Sequence, residues 1–154
     1  MRFVRTATKP GILTQDQVEK LVIELAKVCT AAPVLLMYLH GTHANGTQTH
    51  LSDIDIAVLL ETHAARDLLI HADLLASLQA TCGREDVDLA ILNVVGPILK
   101  DRVVRHGRLI FARSPRDRVL FEAAAIKEAL DFRTFSRVWD GALFRQLREG
   151  RFLG

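Results

Sequence analysis

The sequence predicts an α/β fold, in the mixed α+β sense, in which helices flank a small mixed sheet. Short apolar or alternating runs at residues 33–40, 54–58 and 85–92 have the length and pattern of strands. Longer segments, at residues 14–28 and 63–80, repeat apolar side chains at the three- and four-residue spacing of a helix. Strand-length and helix-length segments that alternate along one chain are typical of a sheet covered by helices.

The first predicted helix carries a start signal and the second carries a stop signal. Thr14 and Gln17 have the spacing of a capping box, in which each side chain bonds the backbone N–H of the other residue. The apolar stripe that follows consists of Val18, Leu21, Val22, Leu25 and Val28. The second helix covers residues 63–80, and Gly83 suits its end because glycine readily adopts the left-handed conformation that closes many helices.

The second half of the chain continues the alternation. Pro97 suits the first turn of a helix that extends to His106 and Gly107. Residues 109–112 predict a short fourth strand. From Pro115 the pattern is helical again, so we expect a C-terminal helical segment over about residues 115–150, within a single domain that spans residues 1–154.

The C-terminal segment carries a wide apolar stripe at helical spacing. Its residues are Phe135, Val138, Trp139, Ala142, Leu143 and Leu147. We expect the stripe to pack on the chain's own core, because this is the usual role of the apolar face of a helix. The alternative is a docking face for a partner or a second copy, since Trp and Phe are enriched in interface cores.

Composition sets bounds on the function. No apolar run approaches the ~20 residues that cross a bilayer, and the N-terminal residues lack the apolar core of a signal peptide. Cys29 and Cys82 are isolated, without a CxxC spacing, so the expected setting is the reduced cytoplasm. Residues 1–99 carry a net charge of −4 and residues 100–154 a net charge of +6.

The basic half contains seven cationic side chains between residues 100 and 118. They are Lys100, Arg102, Arg105, Arg108, Arg113, Arg116 and Arg118. We expect a solvated, partly ion-paired surface here, because the segment lacks the interleaved aromatic residues of a groove for single-stranded nucleic acid. Nucleic acid is therefore not an expected partner.

The most informative motif is Gly41-Thr42, then ten residues, then Asp53-Ile54-Asp55. Successive side chains on a strand point to opposite faces, so Asp53 and Asp55 are predicted to project the same way. Two neighbouring carboxylates repel each other unless a cation lies between them. Mg²⁺ prefers oxygen ligands and commonly binds together with phosphates, so the motif predicts a metal and nucleotide site.

A third carboxylate is expected from the strand at residues 85–92. Asp86 and Asp88 share one face of that strand, and either could complete a metal-binding triad if the strand lies beside Asp53 and Asp55. The alternative is a solvated acidic strand end.

These residues resemble a known family. Gly41-Thr42, the Leu51-Ser52-Asp53-Ile54-Asp55 run and the Val87-Asp88-Leu89 run look like the signature of the polymerase-β-like nucleotidyltransferases. The resemblance is greatest to the minimal MntA-type antitoxins, which pair with HEPN-domain ribonuclease toxins. It covers roughly residues 14–130 and implies the polymerase-β-like nucleotidyltransferase fold.

The resemblance implies transfer of AMP from ATP to a tyrosine hydroxyl of a HEPN toxin, which would neutralise the toxin. Asp53, Asp55 and Asp88 would be the catalytic residues and would bind two Mg²⁺ ions. Gly41, Thr42 and Ser52 would bind the nucleotide. Asp86 would be a surface or supporting acid, because it is two residues out of step with the family pattern. A second copy of the chain is a further expected partner.

Two other functions remain open from the sequence. The chain could neutralise its partner by binding alone, or it could modify a small molecule, although no second domain is available to build a pocket for one. A zinc site formed by His40, His43, His50 and His63 is a weaker alternative, because their spacing matches no common zinc motif.

Overall fold

The computed structural model describes residues 14–41 and 53–148, and within them helices and strands alternate as predicted. The elements, in chain order, are α1 (Gln15–Ala31), β1 (Val34–His40), β2 (Ile54–Leu60), α2 (Leu68–Cys82), β3 (Val87–Ile91), α3 (Pro97–His106), β4 (Arg108–Ala112) and α4 (Pro115–Arg148). The predicted fold class is confirmed.

The strands form one mixed sheet with the order β3-β2-β1-β4. β1 lies antiparallel to β2 and to β4, whereas β2 and β3 are parallel. The register pairs His40 with Asp55 across β1 and β2, and Asp55 with Asp88 across β2 and β3. The two edge strands are therefore β4, which pairs antiparallel with β1, and the acidic strand β3, which pairs parallel with β2.

Helices cover both faces of the sheet. On one face, α1 and α2 pack on the strand residues that include Met37, Ile56 and Val58. On the other face, α3 and α4 pack on Leu36 and Tyr38 and on further residues of the same alternating set. Because side chains alternate along a strand, the positions of His40, Asp55 and Asp88 belong to the face that α3 and α4 cover.

The ends of two helices follow local signals. The capping box forms: Thr14 Oγ1 accepts from Gln17 N at 3.3 Å, and Gln17 Oε1 accepts from Thr14 N at 2.8 Å. The expected start of the second helix at residue 63 is wrong, since Asp67 Oδ1 accepts from the N–H groups of Leu69 and Ile70 and begins α2 at Leu68. Gly83 ends α2 with φ of +63°, as predicted.

The predicted burial of the C-terminal stripe is wrong for Phe135, Val138 and Trp139. Ala125 and Ala129 of α4 are buried, but Phe135, Val138 and Trp139 are exposed. The helix has 34 residues and is about 50 Å long. Among the described residues, the last ion pair that joins α4 to the rest of the protein is that of Arg133 with Asp101, so the exposed stripe lies beyond this contact. The periodicity was that of a helix with an apolar side, but it could not indicate what covers that side.

Ion pairs involve five of the seven cations in the basic segment. Lys100 pairs with Glu128, Arg105 with Asp101, Arg108 with Glu19, Arg113 with Glu61, and Arg118 with Glu122. The expected ion-paired surface is thus present. None of the helices in the described ranges combines the length and apolar composition needed to cross a bilayer.

A buried carboxylate joins α3 to α4. Asp101 is 1% exposed and accepts from Arg105 Nε at 2.7 Å and from Arg133 Nη2 at 2.7 Å. These two hydrogen bonds, the first of them the larger cause, hold the pKa of Asp101 below its usual range. A second contact from α4 reaches the sheet, where Tyr38 Oη donates to Glu122 Oε1 at 2.9 Å.

We predict that Asp101→Asn lowers the free energy of unfolding by about 1–3 kcal/mol, because it weakens two charge-assisted hydrogen bonds. A carboxyl with a lowered folded-state pKa stabilises the protein fully above its unfolded-state pKa of about 3.9 and progressively less below it. The difference between wild type and variant should therefore narrow below about pH 4 in urea unfolding curves. Glu24→Gln, which removes an exposed pair with Lys27, should cost less than about 0.5 kcal/mol. A pH-independent difference would contradict this account.

Candidate active site

Three polar residues occupy adjacent positions across β1, β2 and β3. His40 pairs with Asp55, and Asp55 pairs with Asp88, so that the three positions form one row perpendicular to the strands. Neighbours in such a row have Cβ atoms about 5 Å apart. Asp55 is half-buried and Asp88 is exposed. The two predicted carboxylates are thus brought together at the end of the sheet where β1 finishes and β2 and β3 begin.

The surroundings of His40 disfavour a positive charge on its ring. Burial lowers its pKa, and the charges of Asp55 and Asp88 only partly oppose that effect. Arg102, exposed on α3, acts in the same direction as burial. The charges of all three side chains act on His40, so the three lie near its ring.

Gly41 makes room for Asp55. Its φ is +70°, in the left-handed region that favours glycine. A Cβ atom at this position would overlap Asp55 Oδ2 and approach Cγ at 3.0 Å. The glycine of the motif is therefore required here both for its backbone conformation and for the close approach of the carboxylate.

Of the remaining predicted site residues, the structure describes Asp53 and Asp86. Asp53 is exposed and directly precedes β2, two residues before Asp55. Thr42 and Ser52 lie outside the described residues. Asp86, the weaker candidate for the third acid, is bound by Arg84 through Nε to Oδ1 at 2.7 Å and through Nη2 to Oδ2.

Arg84 was not singled out from the sequence. Its side chain is 5% exposed, and its pKa is raised chiefly by the hydrogen bond to Asp86, with a smaller contribution from the charge of Asp53. The available signal was its place between the helix-ending Gly83 and the acidic run that begins at Glu85. A cation there offsets part of the negative charge of Asp86 and Asp53.

The donor chemistry of the row suits a hard cation, although the cluster is not preassembled. Within the part of the chain that the structure describes, no three His, Cys, Asp or Glu side chains converge on a point that could hold a metal ion. Asp55 and Asp88 supply carboxylate oxygens, the ligands that Mg²⁺ prefers, and they leave positions for phosphate and water. The chemistry of the residues present therefore fits a hard divalent cation such as Mg²⁺.

The four-histidine zinc alternative is not supported by the described pair. His40 ends β1 beside Asp55, whereas His63 lies beyond the other end of β2, 3.5 Å from Glu61. The seven residues of β2 separate them by about 20 Å. His43 and His50 lie outside the described residues.

Comparisons with known proteins identify the family and the fold. Residues 23–116, more than half of the chain, match the profile of the family described as Polymerase beta, Nucleotidyltransferase. No curated protein sequence matches the chain significantly.

Several solved structures share the fold. One is a toxin–antitoxin complex with AMP-PNP, which is 26% identical, has a TM-score of 0.67 and is aligned over 80% of this chain and 98% of its own. An MntA–HpeT toxin–antitoxin mutant is 26% identical, with a TM-score of 0.62 and coverage of 86% and 99%. A third structure contains a tri-AMPylated HEPN toxin of Shewanella oneidensis with its MNT antitoxin; it is 22% identical, with a TM-score of 0.64 and coverage of 82% and 98%.

We predict that Gly41→Ala destabilises the protein more than Gly83→Ala. Both glycines have positive φ, but a Cβ at Gly83 would meet nothing within 4 Å. Gly83→Ala should cost about 1–2 kcal/mol for its backbone conformation alone. Gly41→Ala should cost a further 1–3 kcal/mol, roughly the penalty for overpacking, because Asp55 must move. Urea unfolding of the two variants measures the difference, and equal losses would show that Asp55 does not constrain Gly41.

Proposed function

Because the chain belongs to the polymerase beta nucleotidyltransferase family, we propose that it is an antitoxin that transfers AMP from ATP to a tyrosine hydroxyl of a HEPN-domain toxin. The observation that carries the proposal is the pairing of Asp55 with Asp88 beside Gly41, at the end of a sheet with the fold of this family. Similarity to a toxin–antitoxin complex with an ATP analogue supports the choice of nucleotide and partner. The neighbour with a tri-AMPylated toxin supports the choice of the transferred group.

We assign the metal to the carboxylates of Asp53, Asp55 and Asp88. Two Mg²⁺ ions held there would offset negative charge on the attacking and leaving oxygens. Asp55 and Asp88 would be the central ligands because they are register neighbours. Burial lowers the pKa of His40, which disfavours a positive charge on the ring beside these carboxylates.

The triphosphate would be bound by the turn that follows β1. Gly41 has no Cβ to obstruct the approach of phosphate oxygens, and the proposed role of the Thr42 hydroxyl is to donate to the β- or γ-phosphate. Ser52 would contact the nucleotide from the other end of the same segment. Arg102 is exposed on α3 and acts electrostatically on His40, so it lies where a positive charge would also favour a bound polyphosphate.

The proposed reaction is a single displacement at the α-phosphorus of ATP. The acceptor tyrosine oxygen forms a bond to that phosphorus while the bond to the bridging oxygen of the β-phosphate breaks, and pyrophosphate leaves. Asp88 would accept the proton of the acceptor hydroxyl. Its exposure leaves it accessible to a side chain presented by another protein.

We predict that Asp53→Asn and Asp55→Asn each abolish AMP transfer without unfolding the chain, because neutral amides bind Mg²⁺ far more weakly than carboxylates. The purified chain, its HEPN partner, ATP and Mg²⁺ would be incubated and the partner weighed by intact-protein mass spectrometry. Wild type should add AMP-sized mass to the partner. Asp73→Asn, at an exposed site on α2, should transfer at the wild-type rate.

Two results would contradict the proposal. Transfer at a near-normal rate by Asp55→Asn would defeat the assignment of the residue. The absence of any mass gain with wild type, while the two proteins still co-purify, would mean that the chain neutralises its partner by binding alone.

The third acid can be tested separately. We predict that Asp88→Asn loses at least about 100-fold of the transfer rate, a loss typical of removing a group that stabilises developing charge. Asp86→Asn should stay within about 10-fold of wild type, because Arg84 already occupies that carboxylate. Initial rates with labelled ATP, together with unfolding curves for both variants, distinguish loss of chemistry from loss of fold. A larger loss of the transfer rate in Asp86→Asn than in Asp88→Asn would identify Asp86 as the third acid of the site.

A further inference from the structure

The distal half of α4 presents a row of large apolar side chains that the described part of the chain leaves uncovered. Phe132 is 47% exposed, Phe135 64%, Val138 67% and Trp139 64%. The rings of Phe135 and Trp139 are stacked, with their centroids 6.0 Å apart. Exposed aromatic side chains grouped in this way commonly mark an interaction surface.

The spacing of this row is that of a coiled-coil seam. Phe132, Phe135, Trp139 and Ala142 follow one another at intervals of three, four and three residues, which is the a/d repeat of a heptad. Ala125 and Ala129, the buried residues of α4, are each ten residues before a member of the seam. Ala125 also lies seven residues before Phe132, which is only about 20° short of two full turns. The seam therefore continues the body-facing side of α4 and turns gradually away from it, and its large side chains are exposed because they lie past the buried part of the helix.

We propose that two copies of this chain associate through this seam, with their α4 helices antiparallel. An antiparallel pairing sets a positions against d positions. Phe135 then meets Trp139 of the second copy, and Phe132 meets the small Ala142 of the second copy. Val138 lies near the two-fold axis and faces its own counterpart. Every large side chain of the seam therefore has an apolar partner of suitable size.

The charges beside the seam select the antiparallel orientation. Asp131 and Arg145 lie seven residues on either side of Val138, and both are exposed. In the antiparallel pair, Asp131 faces Arg145 of the second copy, and symmetry forms this ion pair twice. In a parallel pair the g positions, which include Asp131 and Arg145, face e positions of the second copy and not each other, so this ion pair would not form. Within one chain Asp131 accepts a hydrogen bond from Lys127 at 2.9 Å. Because an exposed ion pair contributes little stability, Asp131 can leave Lys127 for Arg145 of the second copy at little cost.

Cysteine cross-linking tests both the association and its register. The full chain, with Cys82 changed to Ser, would carry Val138→Cys or, as the control, Phe144→Cys. Phe144 is as exposed as the seam residues, at 63%, but it is about two and a half turns from Phe135 and so lies on the opposite side of the helix. Mild oxidation should convert most of Val138→Cys into a covalent dimer on non-reducing gels, and little of Phe144→Cys.

Light scattering provides an independent readout on the chain alone. Wild type should have a mass of about 34 kDa, twice the 17.2 kDa of one chain. Phe135→Ser should lower the measured mass to that of one chain, whereas Phe144→Ser should leave the mass of the dimer unchanged. A monomeric wild type at high micromolar concentration, or equal cross-linking of the two cysteine variants, would overturn the proposal. So would a Val138→Cys chain that cross-links only to a HEPN toxin, since the seam would then belong to that partner.

Discussion

The hydrogen-bonded register of β2 between β1 and β3 is the constraint on which the candidate site depends. It sets Asp55 between His40 and Asp88, and a shift by one residue would send Asp55 to the opposite face of the sheet. The apolar residues of β2 fix that register, because Ile54, Ile56 and Val58 are fully buried under α1 and α2. The core on one face thus holds two carboxylates together on the other.

Residues around the two carboxylates accommodate the negative charge and the bulk of the neighbouring acids. Asp86 is bound by the buried Arg84, while Gly41 gives Asp55 room that no other residue would leave. On the same face of the sheet, buried Asp101 of α3 accepts a hydrogen bond from Arg105 of the same helix and joins α3 to α4 through Arg133. The helix α3, which carries Arg102, is thereby fixed beside the row. The cations Arg84 and Arg102 therefore lie beside a row of carboxylates for which we propose a metal and nucleotide role.

Much of the fold could be predicted from the sequence, because the local signals agree with the tertiary structure. The capping box at Thr14, the left-handed Gly83 and the alternation in β2 are all local patterns. The site was predictable only in part: spacing identified Asp55, but the pairing of Arg84 with Asp86 depends on how two side chains fold back on each other. The exposure of α4 depends on the length of the helix relative to the body, which periodicity does not encode.

The most direct test of the account is to locate a bound metal–nucleotide complex on the chain itself. Mn²⁺–ATP, whose unpaired electrons broaden nearby NMR signals, can be titrated into the isotopically labelled protein. The account predicts that the amide signals of His40, Asp55 and Asp88 disappear first, while those of Val34 and Leu60, at the other end of the paired strands, persist. Uniform broadening, or broadening centred away from the His40–Asp55–Asp88 row, would contradict it.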